Sequence, residues 1–312
     1  MFKRGNWVNK KNVLAFFGVI GVVASIFGII DFITGKSLPD LVQEFGKSET
    51  IDTDSRMVSP KDDMVMMYVP SGEFVMGSKD TDGDLILDGF LASRDDEKPQ
   101  HTVLLDAFWI DRTEVTNAQY ARCVAQGACK EPNNKSSFTR DFYFDNPEFS
   151  EYPVIFVSWQ DAVTYCTWAG RRLATEAEWE KAARGLDTAH IYPWGYATPN
   201  CKLANIVDPS AWKHCVGDTS AVGSYPDGAS PYDVLDMAGN VSEWVNDVYQ
   251  SDYYSVSVYA NPSGPSSGNV MVTRGGSWGP DWYSVRVAHR NPHSNDFGTP
   301  LIGIRCAANA EN

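Results

Sequence analysis

The stretch 232–247, YDVLDMAGNVSEWVND, leaves fewer folding options than any other part of this chain. Met237, Val241 and Trp244 are interleaved with Asp236, Asn240, Glu243 and Asp247 on neither a helical nor a strand period, which excludes a plain helix and a plain strand. A turn that sets oxygen-bearing side chains among buried aromatic anchors is what remains. Two readings fit it. In the first, Asp236 and Glu243 with the carbonyls of Gly239 and Val241 hold calcium, a hard cation that takes about six to eight oxygens from carboxylates and backbone carbonyls. In the second, the same carboxylates cap backbone N–H groups of a polar turn.

A net charge of −14 over 312 residues argues against a nucleic-acid partner, because phosphate binding needs a cationic footprint. Residues 13–30 carry no charge, and with Phe32 and Ile33 they approach the ~20 apolar residues of a membrane helix. Lys3, Arg4, Lys10 and Lys11 precede this run, which sets the N-terminus in the cytoplasm and everything after Asp31 outside. The expected organisation is a basic cytoplasmic tail (1–12), a single-pass cell-membrane anchor (13–34), a polar linker (35–63) and an extracytoplasmic domain (64–312). A cleaved signal peptide is the competing reading, but it would have a shorter apolar core and small residues at its end.

All six cysteines, Cys123, Cys129, Cys166, Cys201, Cys215 and Cys306, fall on the external side, where an even count reads as disulfides. Cys123 with Cys129, and Cys201 with Cys215, are natural local closures. No pair has CxxC spacing, and no histidine accompanies them at metal-ligand spacing. Three helices are expected after the capping boxes Thr116/Gln119, Ser158/Asp161 and Thr175/Glu178, ending near Gly127, Gly170 and Gly185. The runs MVMMYV and EFVMG around 70–72 predict a hairpin. The acidic segment 80–88 reads as part of an EF-hand-like loop or as a solvated insertion.

The stretch 232–247 is similar to the GLYDMxGNVWEW signature of the formylglycine-generating-enzyme family, also called the sulfatase-modifying-factor domain. Seven further blocks follow the family's order: GEFVMGS at 72–78, EVTN at 114–117, PVIFVSW at 153–159, RLATEAEWE at 172–180, YPWG at 192–195, RGGSW at 274–278 and GIRC at 303–306. The resemblance implies an α+β fold related to C-type lectins, with little regular secondary structure. It also implies a Cys166–Cys306 bridge and two structural calcium sites. One comprises Asn205, Ile206, Asp218 and Ser220, with a one-residue deletion before Asp218; the other comprises Asp236, Gly239, Val241 and Glu243, where Asp236 stands in place of the usual Asn.

In the oxygen-dependent enzymes that this chain resembles, two cysteines after GGSW bind copper(I), to which soft thiolates are suited. Residues 279–285 here read GPDWYSV, with no sulfur, so copper is not expected and no catalytic residue is assigned. What remains is a loop-rich segment of aromatic and forked donor side chains: Trp278, Asp281, Trp282, Tyr283, Arg286, His289, Arg290, His293 and Asn295. Such composition favours recognition of a protein, peptide or glycan ligand, although Trp278, taken alone, also reads as core. The expected function is a non-oxidase binding or accessory module. The alternative is an enzyme of the same family, either a copper-independent oxidoreductase with His289 and Asp281 as an acid–base set or a divergent sulfatase activator. Pro292 between His289 and His293 argues against a helical metal face.

Overall fold

The computed structural model describes residues 56–79, 94–187 and 190–310. The expected anchor at 13–34 and the acidic segment 80–88 lie outside them. Among the described residues, no helix is long and apolar enough to cross a membrane.

In chain order the strands are β1 (Arg56–Val58), β2 (Val65–Val69), β3 (Gly72–Met76), β4 (His101–Leu105) and β5 (Phe108–Asp111). Helices α1 (Asn117–Ala125) and α2 (Trp159–Trp168), strand β6 (Arg172–Leu173) and helix α3 (Glu176–Arg184) follow. The chain then runs through β7 (Val207–Asp208), β8 (Lys213–His214), β9 (Ser242–Val248), β10 (Val270–Arg274), β11 (Asn291–Ser294), β12 (Ile302–Gly303) and β13 (Cys306–Asn309). A five-stranded sheet has the order β1-β2-β5-β13-β6, and a four-stranded sheet the order β11-β10-β9-β12. The C-terminal strand β13 thus sits between β5 and β6, which joins the two ends of the domain.

Each helix starts where its capping box predicts. Thr116, Ser158 and Thr175 accept from the backbone N–H three residues on, and Gln119, Asp161 and Glu178 reciprocate, satisfying donors that a helix end otherwise leaves unpaired. All three disulfides form: Cys123–Cys129, Cys166–Cys306 and Cys201–Cys215. One apolar cluster gathers Phe74, Val103, Phe108, Ile110, Trp179, Met237, Val245 and Val272. A second surrounds the Cys166–Cys306 bridge with Tyr120, Tyr165, Trp244 and Ile304.

Two expectations change. Strands β2 and β3 are not a hairpin: β2 pairs with β1 and β5, whereas β3 pairs with β4 in a separate two-stranded sheet. The cause is Lys181 of α3, whose buried ammonium donates to the carbonyls of Pro70 (2.7 Å) and Gly72 (2.9 Å) and holds the corner that turns the chain from one sheet into the other. The linker also ends before residue 63, since β1 lies on β2, and buried Asp62 accepts from Tyr165 and from Arg171.

Helix α3 is buried along its whole length despite five charged side chains, Glu176, Glu178, Glu180, Lys181 and Arg184. Buried charges persist only when paired and hydrogen-bonded. Here Glu180 accepts from Gly77 N–H (2.8 Å), Arg184 (2.9 Å) and Arg274 (2.5 Å). Gly77 can make this approach because it has no side chain: its φ is +87°, and a Cβ there would meet the Glu97 carbonyl at 2.6 Å.

Candidate recognition surface and cation loops

Arg274, at the end of β10, fixes the shape of the segment after it. Its guanidinium lies over the Trp179 ring at 5.2 Å and donates to the carbonyls of Val287 (2.6 Å), Ala288 (3.1 Å) and His289 (2.9 Å). Residues 275–286 are thereby drawn into an excursion, with a short 3-10 turn at Trp282–Val285.

Behind that excursion is an ion network. Arg286 forks onto Glu97 at 2.7 and 2.5 Å, Ser78 donates to the same carboxylate, and His289 Nδ1 lies 3.4 Å from it. Burial alone would raise the Glu97 pKa, but the hydrogen bonds from His289 and Arg286 outweigh it and hold the carboxyl below its usual range. Burial lowers the pKa of the His289 imidazole, with Glu97 opposing the shift. Arg290 forks onto Glu176 at 2.7 and 2.9 Å and covers the Tyr254 ring at 4.3 Å. Arg286, His289 and Arg290, read from the sequence as ligand donors, therefore face Glu97 and Glu176 in the interior rather than solvent. The suggested His289–Asp281 pairing does not form its own set either: His289 turns to Glu97, while Asp281 accepts from the Tyr283 hydroxyl at 3.0 Å.

The outward part is smaller and includes residues the sequence did not single out. Trp278 is largely buried, with its ring between Phe138 (centroids 5.2 Å apart) and His214 (6.1 Å), and its carbonyl lies 3.1 Å from His214 Nδ1. Trp282 is buried, Tyr283 half-buried and Asp281 exposed. His293 and Asn295 are half-buried; His293 lies edge-on to Trp244 (5.2 Å) and to Phe297 (5.1 Å), and Asn295 N–H donates to the Asn269 carbonyl. Phe138 and Phe142 stand on one loop with 68% and 78% of their surface exposed. That loop is firmly held. Ser137 and Thr139 donate to the Asp218 carboxylate, and Arg140 sits over the rings of Tyr143, Phe149 and Tyr152 while donating to Thr219. The signal available in the sequence was Phe138 and Phe142 in the otherwise polar run SSFTRDF.

The two expected calcium sets meet at Asn240. Its side chain accepts from Asn205 (3.2 Å) and Ser220 (N–H 2.9 Å) and donates to Glu114 (3.0 Å), while its backbone N–H donates to the Asn205 carbonyl. Ile206 is buried beside Asn205, and Gly239, with φ +82°, passes so close that a Cβ would meet the Asn205 carbonyl at 2.6 Å. In the first set, Asp218 gives its carboxylate to Ser137, Thr139, Arg140 and its neighbour's N–H, and Asn205 Oδ1 is a buried acceptor with no hydrogen bond. In the second, Glu243 forks onto Arg305 at 2.7 and 2.8 Å and accepts from Trp179 Nε1 at 2.6 Å, Asp236 accepts from Gly223 N–H, and Val241 is fully buried.

Glu114, Asp236 and Glu243 are all buried around the single guanidinium of Arg305. Burial, followed by their mutual repulsion, raises the pKa of Glu114 well above the usual carboxylate range, and burial likewise raises that of Asp236. With Glu114 and Asp236 pushed toward their neutral forms, the Arg305–Glu243 ion pair leaves little net charge here, and what stands open to a ligand is Asn205 Oδ1, a buried acceptor without a hydrogen bond. No group of three or more His, Cys, Asp or Glu side chains among the described residues converges as a metal site. An ion held there would rely mostly on carbonyl and amide oxygens, which calcium tolerates.

The family described as "Sulfatase-modifying factor enzyme 1-like domain" matches residues 49–310. The chain belongs to this family. The formylglycine-generating enzyme of Streptomyces coelicolor is 33% identical over 298 residues, covering 81% of this chain and 91% of that enzyme. The serine/threonine-protein kinase pkn1 of Chlamydia caviae is 31% identical over 280 residues, and there the match spans 86% of this chain but 42% of the kinase. Among solved structures, PvdO from Pseudomonas aeruginosa superposes with a TM-score of 0.65 at 26% identity, covering 82% of this chain and 98% of PvdO.

Within this sulfatase-modifying-factor domain, the sulfur-free segment 279–285 ends on Val285, which packs with Tyr192, Ala204, Ile206 and Ala238. All six cysteines are disulfide-bonded.

Proposed function

We propose that this protein is a recognition or accessory module that keeps the sulfatase-modifying-factor scaffold without its copper oxidase chemistry. The observation that carries the reading is chemical: residues 279–285 contain no thiol, and each of the six cysteines is engaged in a disulfide. Copper(I) chemistry needs soft thiolate ligands. The ligand surface in this reading is the Phe138–Phe142 loop with Trp278 against Phe138 and His214 against Trp278, to which the composition of 278–296 adds Asp281, Tyr283, His293 and Asn295 as further candidate contacts. Exposed aromatic side chains on rigidly held loops provide contact area at low entropic cost, as a protein, peptide or glycan partner requires. Calcium at the Asn205 and Asp236 loops is structural, and residues 13–34 anchor the domain to the outer side of the cell membrane.

The family's named enzymes favour a second reading, in which the chain makes formylglycine. The deciding experiment incubates the purified full-length protein with a CxPxR-type peptide, oxygen and cuprous ion, and follows the peptide by mass spectrometry. Unchanged peptide supports the recognition reading. Turnover to formylglycine overturns it.

A further inference from the structure

The three disulfides occupy three different surroundings. Cys166–Cys306 is fully buried, and in Cys123–Cys129 both residues are buried, at 0% and 8% exposure. In Cys201–Cys215, by contrast, Cys201 is exposed and Cys215 half-buried. Thiol–disulfide exchange proceeds by in-line attack of a thiolate on a reachable sulfur, so access separates labile bridges from structural ones.

What this bridge closes is the β7–β8 loop. Val207 and Asp208 pair with His214 and Lys213, and Cys215 N–H donates to the Ile206 carbonyl at 2.8 Å. Residues 210–214 are all exposed, and His214 joins the loop to the rest of the domain through the Trp278 carbonyl and ring. Both flanks are anchored independently. Asn205 donates to Asn240 and to the Asp218 carbonyl, and the Asp218 carboxylate is held by Ser137 and Thr139. Cys215 also packs against the cluster that contains Val285, the last residue of the segment in which the resembled enzymes carry their thiols. Opening the bridge therefore loosens the exposed run 210–214 with Cys215 and its contact with Trp278, while buried Ile206 and Val207 and the anchored flanks stay in place.

The geometry points to Cys201–Cys215 as a redox latch that sets one wall of the Trp278 surface, with a protein dithiol as its reaction partner. A thiolate of the dithiol attacks Sγ of exposed Cys201, forming a mixed disulfide and releasing Cys215 as a thiolate. The partner's second thiol then attacks its own sulfur in that mixed disulfide and releases Cys201. Two electrons pass to the bridge, the two thiol protons end on Cys201 and Cys215, and the partner leaves as its internal disulfide. The role of the wall rests on the recognition reading above; the latch itself does not, and its test uses no ligand.

The test treats the full-length protein with graded dithiothreitol and then with a thioredoxin-type dithiol protein. Newly formed thiols are trapped with iodoacetamide for mass spectrometry, and hydrogen exchange is followed over 206–217. Cys201 and Cys215 should be alkylated at a reductant concentration at least roughly tenfold below that needed for the other four cysteines, a difference of about 30 mV. Exchange should rise in 210–215 and stay unchanged around Cys166 and Cys306. A Cys201→Ser/Cys215→Ser variant should reproduce the raised exchange without reductant. Reduction of the three bridges together, or trapping of Cys201 and Cys215 with no change in exchange over 210–215, would overturn the latch.

Discussion

Replacing Arg286 with Ala tests directly whether the segment after Trp278 is a surface or a buried network. Glu97 is fully buried, and Arg286 supplies two of its hydrogen bonds, at 2.7 and 2.5 Å. Truncation would leave Glu97 with Ser78 and a His289 whose own pKa burial lowers. Breaking a buried pair on one side costs about 3–5 kcal/mol, because the charge left behind is uncompensated. For a domain of this size each kcal/mol moves Tm by roughly 2–4 °C, so the expected loss is about 6–20 °C. The deficit should also depend on pH. The Glu97 carboxyl lies below its usual range when folded, so its contribution is full above the unfolded carboxylate pKa of about 4.3 and is lost as pH falls toward the folded value. The gap between wild type and variant should accordingly narrow on acidification below about pH 4. Thermal unfolding of both proteins from pH 7 to pH 3 is the assay. A Glu97→Gln/Arg286→Met double variant should recover part of the loss, since replacing both members removes the stranded charge. If Arg286→Ala changes stability by less than about 0.5 kcal/mol, as an exposed substitution would, the buried placement is refuted.

Three further outcomes follow from the same geometry. In the chain-entropy account, losing the Cys166–Cys306 bridge, with a sequence separation of 140, costs about 5 kcal/mol. Losing Cys123–Cys129, with a separation of 6, costs about 2 kcal/mol; urea titrations of the two Cys→Ser double variants should keep that order, and the reverse order would count against it. Burial lowers the Lys181 pKa to about 8, so the unfolded chain holds more protons than the folded one between about pH 8 and the usual lysine value. Stability should gain a rising component with pH in that window, and Lys181→Met should abolish it; an identical pH slope in the variant would contradict the assignment. If calcium occupies the Asn205 and Asp236 loops, EGTA should lower Tm and added calcium restore it by mass action, whereas a Tm indifferent to both would remove calcium from the account.

Much of the fold could be read from the sequence where the determining contacts are local. The capping boxes at Thr116, Ser158 and Thr175 lie within three residues of their partners, and all three helices start there. The bridges Cys123–Cys129 and Cys201–Cys215 are short closures of the same kind. Distant partners defeated the reading elsewhere. The turn after β2 is decided by Lys181, 111 residues from Pro70, so alternation around a Pro-Ser-Gly corner gave a false hairpin. Arg286 and Arg290 look like surface donors until Glu97 and Glu176 are found opposite them, 189 and 114 residues away. β1 has three exposed residues and no alternation, so nothing in its composition separates it from a tether. Phe138 is hidden for the converse reason: an aromatic in a polar loop reads as isolated until the Trp278 ring is found against it.

The most direct measurement on the central claim is the metal content of the purified full-length protein after anaerobic loading with cuprous ion supplied as its acetonitrile complex, with no disulfide reductant present, and removal of the excess. A scaffold that has lost its thiolate pair should retain calcium and essentially no copper. Stoichiometric copper(I) surviving desalting, with sulfur ligands in its X-ray absorption spectrum, would contradict the account.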